Sequence, residues 1–251
     1  SDLNLTTFTV YVKPNPPEQV SALGKGFHIV LDWADNSEPI AAGYNVYRSI
    51  SYATGFQKIN AEVITESSYT DSPLDPGVEY LYFIKTVSTG GTESDPSDTV
   101  SAVAKDYITV GADKDFPAIH EAIALANEPV VPDNVEIIID AGTYSEPGMM
   151  LQKPVSIRSA SGSTDVVWQG AADGISIESS ITGSLCLSGI QFEGFTGAVL
   201  SAALPVNTAN LEVNISDCNF QNTAVGLTGL TGIVTINNLS ASGSDMTVCS
   251  D

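Results

Sequence analysis

Within residues 107–158 the apolar positions change period twice. Phe116, Ile119, Ile123 and Ala126 fall three or four apart, which predicts a short helix over 116–127 with one apolar stripe. Val135, Ile137 and Ile139 then alternate along a strand that ends at the turn Asp140-Ala141-Gly142, and Pro154–Arg158 forms a second extended run about one coil later. Upstream, short strands separated by turn residues are expected at Val20–Leu23, Phe27–Trp33, Tyr44–Ile50, Phe56–Ile59, Ser68–Thr70, Glu79–Ser88 and Thr99–Ala104, a spacing that predicts a β-sandwich. At the start of the chain Phe8, Val10 and Val12 alternate with Thr7, Thr9 and Tyr11 until Pro14-Asn15-Pro16-Pro17 stops the run. A lone strand is not stable by itself. Residues 1–13 are therefore expected to pair within the chain, to complete a preceding domain, or to insert into a neighbouring subunit.

The second half repeats. "SLCLSGIQFEGF", "EVNISDCNFQNT" and "IVTINNLSASGS" align so that Leu185 and Leu187, Val213 and Ile215, and Val234 and Ile236 match, at steps of 28 and 21 residues. Such steps are typical of solenoid coils, in which each inward residue stacks on its equivalent in the next coil. About five coils fit, with the 116–127 helix covering the open first coil and hiding its edge. Residues 240–251 offer no comparable amphipathic helix, so the far end is expected to lack a cap.

Two resemblances follow from these residues. The helix "DFPAIHEAIALA", the strand and turn "VEIIIDAGTYSE" and the strand "LQKPVSIRS" resemble the entrance of right-handed parallel β-helices in the pectin-lyase-like superfamily. Pro17, Trp33 in "IVLDWADN", Tyr44 and Tyr47 in "AGYNVYRS", and "LDPGVEYLYFIKTVS" resemble a fibronectin type III module. In such a module Tyr80 would form the tyrosine corner, its hydroxyl returning to upstream backbone. Together they imply an all-β chain: a fibronectin-III-like β-sandwich plus a short right-handed parallel β-helix with an N-terminal capping helix. The implied division is an N-terminal strand or linker at 1–13, the type III module at 14–105 and the parallel β-helix at 106–251. Modules of the first kind usually act as spacers, and Trp33 is expected in its core. His28 is expected to be a strand histidine without a metal.

Charge narrows the partners. Nine basic against thirty acidic residues give a net charge of −21, which excludes a nucleic-acid partner and disfavours anionic membranes. No apolar run reaches the length of a membrane span, so no membrane insertion is expected. Of the three cysteines, Cys186 should point outward between Leu185 and Leu187, while Cys218 should share the inward face of Phe220. Opposite facing argues against a bond between them. Cys249 is free to pair with another chain.

Catalytic chemistry is hard to assemble. Elimination on an acidic polysaccharide needs a base and a cation beside the carboxylate, yet no Lys, Arg, His or Tyr occurs from Ser159 onward. Tyr107, Lys114, His120, Tyr144, Lys153 and Arg158 all precede the middle coils, and His120 and Arg158 are expected at the surface. Glu178, Glu193, Glu212 and Asp217 are the acids available for hydrolysis, which needs two facing one groove. A faint likeness to pectin methylesterases fails where Gln221-Asn222 stands in place of the Gln-Asp that the resemblance would require. Calcium is conceivable at Asp113–Asp115 or Asp217–Asn222, although neither has the spacing of a dedicated loop. No catalytic, cofactor-binding or metal residue is assigned. The expected role is non-catalytic, extracellular or at the cell surface: structural, adhesive, or a subunit of a filament or surface layer. Head-to-tail self-association would use Phe8, Val10, Val12 and Cys249. The alternatives are an N-terminal fragment of a modular polysaccharide-degrading enzyme (lyase or hydrolase) and a carbohydrate-binding module with polysaccharide as partner.

Overall fold

The computed structural model describes residues 12–53, 55–170, 172–202, 211–223, 225–228, 233–243 and 246–249. Two compact units divide the chain between Lys105 and Asp106. The first contains β1 (Ser21–Lys25), β2 (His28–Asp32), β3 (Ala41–Ser49), β4 (Gln57–Lys58), β5 (Ser68–Asp71), β6 (Glu79–Ser88) and β7 (Val100–Val103). They form an antiparallel sheet β1-β2-β5 and an antiparallel sheet β4-β3-β6-β7, the three-plus-four division of a fibronectin-III-like sandwich. Strand alternation sends Ile29, Leu31, Val46, Tyr82 and Ile84 into the core, where all are essentially inaccessible. Trp33 is buried there too, edge-on to Tyr44 with ring centroids 5.2 Å apart.

Four polar features order this unit. The Asp75 backbone N–H donates to Tyr80 Oη at 3.2 Å, closing the expected tyrosine corner. Arg48 of β3 reaches Asp71 of β5 at 2.9 Å, so an ion pair ties one sheet to the other, and Tyr82 Oη donates to the same carboxylate at 2.8 Å. His28 is buried, its Nδ1 lying 2.7 Å from the Gly26 carbonyl. Ahead of β1, the Asn15 amide and backbone N–H both donate to Glu38, at 2.8 and 2.7 Å. The expected strand at the start of the chain does not include Val12, which is 57% exposed and outside any strand. β3 begins at Ala41 rather than Tyr44, because its pairing with β6 continues past an irregularity between Ala41 and Gly43.

The second unit opens with β8 (Tyr107–Val110) and the helix α1 (Ile119–Asn127). Three strands per coil follow: β9 (Val135–Ile139), β10 (Gly142–Ser145) and β11 (Met149–Leu151), then β12 (Val155–Ser159), β13 (Val166–Gln169) and β14 (Ile175–Ile177). The pattern continues in β15 (Gly183–Ser188), β16 (Ile190–Glu193) and β17 (Leu200–Ala202), in β18 (Leu211–Ser216), β19 (Asn219–Gln221) and β20 (Val225–Thr228), and in β21 (Ile233–Asn237), β22 (Ser240–Ser242) and β23 (Met246–Cys249). Equivalent strands pair in parallel into sheets ordered β8-β9-β12-β15-β18-β21, β10-β13-β16-β19-β22 and β11-β14-β17-β20-β23. This is a parallel β-helix. Strands β22 and β23 carry it into the tail, where no capping helix was expected.

Each sheet carries an inward ladder. In the first, Ile108, Ile137, Ile157, Leu187, Ile215 and Ile236 stand in register. In the second, Tyr144, Trp168, Phe192, Phe220 and Ala241 do so. Phe192 stacks on Phe220 at 5.2 Å and lies tilted 5.6 Å from Trp168. Cys218 is buried alongside, and burial pushes its thiol pKa up to about 11, while Cys186 lies outward between buried leucines; both are free thiols. Helix α1 starts at Ile119, three residues later than the apolar spacing predicts. Phe116 instead bridges to Val110, its N–H bonded to the Thr109 carbonyl at 3.1 Å. The stripe Ile119, Ala122, Ile123 and Ala126 is buried as the helix packs on β8, β9 and β11 of the first coil.

Candidate functional site

Alternation that buries Trp168 and Phe192 turns their neighbours outward, so the second sheet displays two polar rows. One row is Thr143, Val167, Gln191, Asn219 and Ser240; the other is Ser145, Gln169, Glu193, Gln221 and Ser242. Side chains bond from coil to coil along and across these rows. Gln191 Nε2 donates to Gln221 Oε1 at 3.0 Å, Asn219 Nδ2 to Gln191 Oε1 at 3.4 Å, Ser240 Oγ to Asn219 Oδ1 at 3.1 Å, and Gln169 Nε2 to Glu193 Oε2 at 3.1 Å. The rungs are about 4.8 Å apart, so the sheet carries a regular strip of amides and hydroxyls.

An open cleft of about 540 Å³ adjoins the strip, lined by Ser145, Glu146, Gln169, Gly170, Glu193 and Gly194. Glycine is required at position 170, because a Cβ there would come within 2.0 Å of the buried Phe195 ring. Glu146 is the cleft's best-anchored residue. Ala118 at the N-cap of α1 contributes no side-chain bond, and Glu146 supplies the missing acceptor from the adjoining coil. Its carboxylate accepts from the backbone N–H groups of Ile119 at 2.7 Å and His120 at 3.2 Å, and contacts His120 Nδ1 at 2.6 Å. A buried carboxylate at a helix N-terminus satisfies orphan donors and complements the helix dipole. The motif "GTYSE" is thus a capping device, a role that local sequence patterns do not reveal.

Every basic side chain of this unit has a structural partner. Lys114 pairs with Asp140 at 3.1 Å, His120 with Glu146, and Arg158 with Glu136 at 2.6 Å. Lys153 donates to the carbonyls of Glu128 and Val131 at 2.5 and 2.6 Å. His120 and Arg158 lie at the surface as expected, and each is also tied to a carboxylate. The Tyr144 hydroxyl donates to the Asp140 carbonyl at 2.9 Å, and burial, with Asp140 and Glu146 nearby, holds its pKa above the ordinary phenol value. The candidate acids do not meet on one face. Glu193 lies on the second sheet, Glu212 on the first, Glu178 just beyond β14, and Asp217 in the turn between β18 and β19.

Among the described residues no group of three or more His, Cys, Asp or Glu side chains could hold a metal ion. Asp115 bonds the Thr109 N–H at 2.9 Å, and Asp217 accepts from Asn238 at 2.6 Å. Of the assembly residues, Phe8 and Val10 lie outside the described residues, as does the side chain of Cys249; the backbone of Cys249 pairs with Thr228 on β20. Among the described residues no helix is long and apolar enough to cross a membrane.

No family model matches the chain. It is 32% identical over 89 residues to an amylopullulanase of Thermoanaerobacter thermohydrosulfuricus, a match covering 36% of this chain and 6% of that protein. It is 34% identical over 89 residues to an amylopullulanase of Thermoanaerobacterium saccharolyticum, covering 35% of this chain and 7% of that protein. The chain spans under a tenth of the length of these curated relatives. Among solved structures, an Fn3-like protein from Clostridium thermocellum is 32% identical, covering 35% of this chain and 90% of that one, with a TM-score of 0.32. A β-1,2-glucanase from Parabacteroides distasonis is 29% identical, covering 36% of this chain and 13% of that one, with a TM-score of 0.33.

Proposed function

We propose that the chain is a non-catalytic module of an extracellular, polysaccharide-processing protein, with the sandwich as spacer and the β-helix as the part that binds a glycan. The observation that carries this reading is the strip of amides and hydroxyls on the second sheet. Gln169, Gln191 and the pair Asn219 and Gln221 stand on three successive rungs, at a spacing comparable to the length of one sugar unit, and amides offer both donors and acceptors to hydroxyl groups. The likeness to two amylopullulanases supports an association with glycoside-processing proteins. Binding is favoured over bond cleavage because the bases that elimination would use are held in structural contacts, and the candidate acids are divided among different faces.

The test is native electrophoresis of the chain through gels containing soluble neutral glucans or polygalacturonate, with parallel assays for reducing ends and unsaturated products. Retardation by a neutral glucan without product formation is expected, and replacing Gln191 and Gln221 together with alanine should weaken it. Turnover that survives repurification, or passage unretarded through every glucan, would overturn the reading.

A further inference from the structure

The outer face of the sandwich's four-stranded sheet carries a feature that a spacer does not need. Tyr82 and Ile84 of β6 point into the core, so Phe83 between them is turned to the opposite face. Phe83 lies opposite Tyr47 of β3, and the two rings stack with centroids 4.9 Å apart and planes 20° from parallel. Phe56, just ahead of β4, adds a third ring 4.6 Å from Phe83. All three are half-buried, so they keep solvent-facing surface while being fixed by packing.

One edge of this aromatic group is polar. Tyr47 Oη donates to Glu93 Oε1 at 2.6 Å, Asn45 Nδ2 donates to the same oxygen at 2.7 Å, and Lys85 Nζ donates to Glu93 Oε2 at 3.1 Å while lying 5.2 Å from the centre of the Tyr47 ring. The Lys85–Glu93 pair makes the group locally neutral on a chain of net charge −21.

We propose that Tyr47, Phe56 and Phe83 form a stacking platform for a pyranose ring of a neutral polysaccharide. This rests on the reading of the chain as a glycan-binding module and adds a second, chemically different site to it. A pyranose has an apolar face of C–H groups and an equatorial rim of hydroxyls. The ring surface left outside the Tyr47–Phe83 stack matches the face, and the carboxylate, amide and ammonium along one edge match the rim. Rings already held by their neighbours lose little conformational freedom on binding. Charge selects the occupant: a uronan meets the repulsion of an acidic chain, and so does a second copy of the chain.

The experiment titrates the full chain with neutral glucan oligosaccharides and follows the amides of β3 and β6 by NMR, beside the retardation assay. The expected result is saturable shifts on these strands, with Tyr47→Ala weakening binding there about ten-fold or more and Tyr47→Phe, which keeps the ring, binding nearly as the unaltered chain does. Should Tyr47→Ala impair folding, Phe56→Ala in the loop reports the same loss. If glucan retards the chain but shifts only second-unit residues, the platform is overturned and the module reading stands. If no glucan retards the chain, the module reading fails and the platform with it. If β3 and β6 respond instead to protein concentration, a second copy is the occupant and the proposal is overturned.

Discussion

The two units use the same alternation of apolar and polar residues to make different kinds of core. In the sandwich, the inward residues of one sheet face unlike residues of the other: Trp33 meets Tyr44, and Arg48 reaches across to Asp71. In the β-helix an inward residue stacks on its own equivalent one coil away, as in the run from Ile108 to Ile236. The first arrangement is long-range and makes the unit stand or fall together. The second is nearly one-dimensional, each coil depending on its neighbours. Damage should therefore stay near its coil in the β-helix and spread through the whole unit in the sandwich.

The largest effect is expected from Ile123→Asp. Ile123 is 2% exposed on the buried face of α1, and a carboxylate there without a partner should destabilise the first coil by about 4 kcal/mol. Hydrogen exchange should accelerate from β8 through β11 and fade along later coils, while β2, β3 and β6 keep their protection. Uniform acceleration through both units would show that the capping helix is not a local element. Next is Arg48→Met, which leaves the Asp71 carboxylate buried without its cation and should cost about 3 kcal/mol. Chemical denaturation should show the sandwich weakening as one cooperative unit, and adding Asp71→Asn, which removes the charge but keeps an acceptor for Tyr82 Oη, should restore part of the loss. Persistence of the full loss in the double variant would remove the ion pair from the account.

How much of this was legible depended on the reach of each interaction. β6 can be read end to end as Glu79–Ser88, and the Tyr80 corner follows from "LDPGVEY", because both depend on residues close in sequence. The coil register could be read too, since Leu187, Ile215 and Ile236 are chemically alike and recur in order. Glu146 could not be read, because its partners lie 27 and 26 residues upstream, beyond β10 and β9, and no local pattern marks a carboxylate as the cap of so distant a helix. The start of α1 departs from the apolar spacing for a related reason: Phe116 fits the helical spacing, but its backbone completes a bridge to β8. The outward aromatic group does have a local signal, since alternation along β6 sets Phe83 apart from the core residues Tyr82 and Ile84.

Alkaline titration should separate the units by smaller effects. Burial raises the Cys218 thiol from 9.0 to about 11 in the β-helix. In the sandwich, burial first and the Glu93 hydrogen bond and charge next raise Tyr47 from 10.0 to about 12. In both cases the fold favours the protonated form, so the stability is fully present below the unfolded value and lost as pH rises through the folded one. The β-helix contribution should fade between about pH 9 and 11, and the sandwich contribution between about pH 10 and 12. Glu93 runs the other way: burial opposes its ionisation, but bonds from Tyr47, Asn45 and Lys85 outweigh this and hold its pKa below 4.5. Its contribution is present above that value and lost on acidification through the lower folded pKa. Peptide-mapped alkylation of Cys218 should stay slow until the alkaline window, and rapid labelling at neutral pH would contradict its burial.

The smallest expected effect, Tyr80→Phe, asks whether the sandwich responds as a whole even to a single peripheral bond. The substitution keeps the ring in the core and beneath the Arg48 guanidinium, 5.4 Å from its centre, and removes only the hydroxyl that accepts from the Asp75 N–H. That contact is partly buried, so the freed donor can turn to water and the loss should be about 1 kcal/mol. If the sandwich core is one cooperative unit, this loss should lower the midpoint of the whole first unit without broadening its transition, and exchange should rise on β2 and β3 as well as near the corner. Exchange that rises only between Leu74 and Tyr80 would mean that the corner opens by itself. The sandwich would then resemble the β-helix in confining damage, and the contrast between the two cores would lie in their geometry alone.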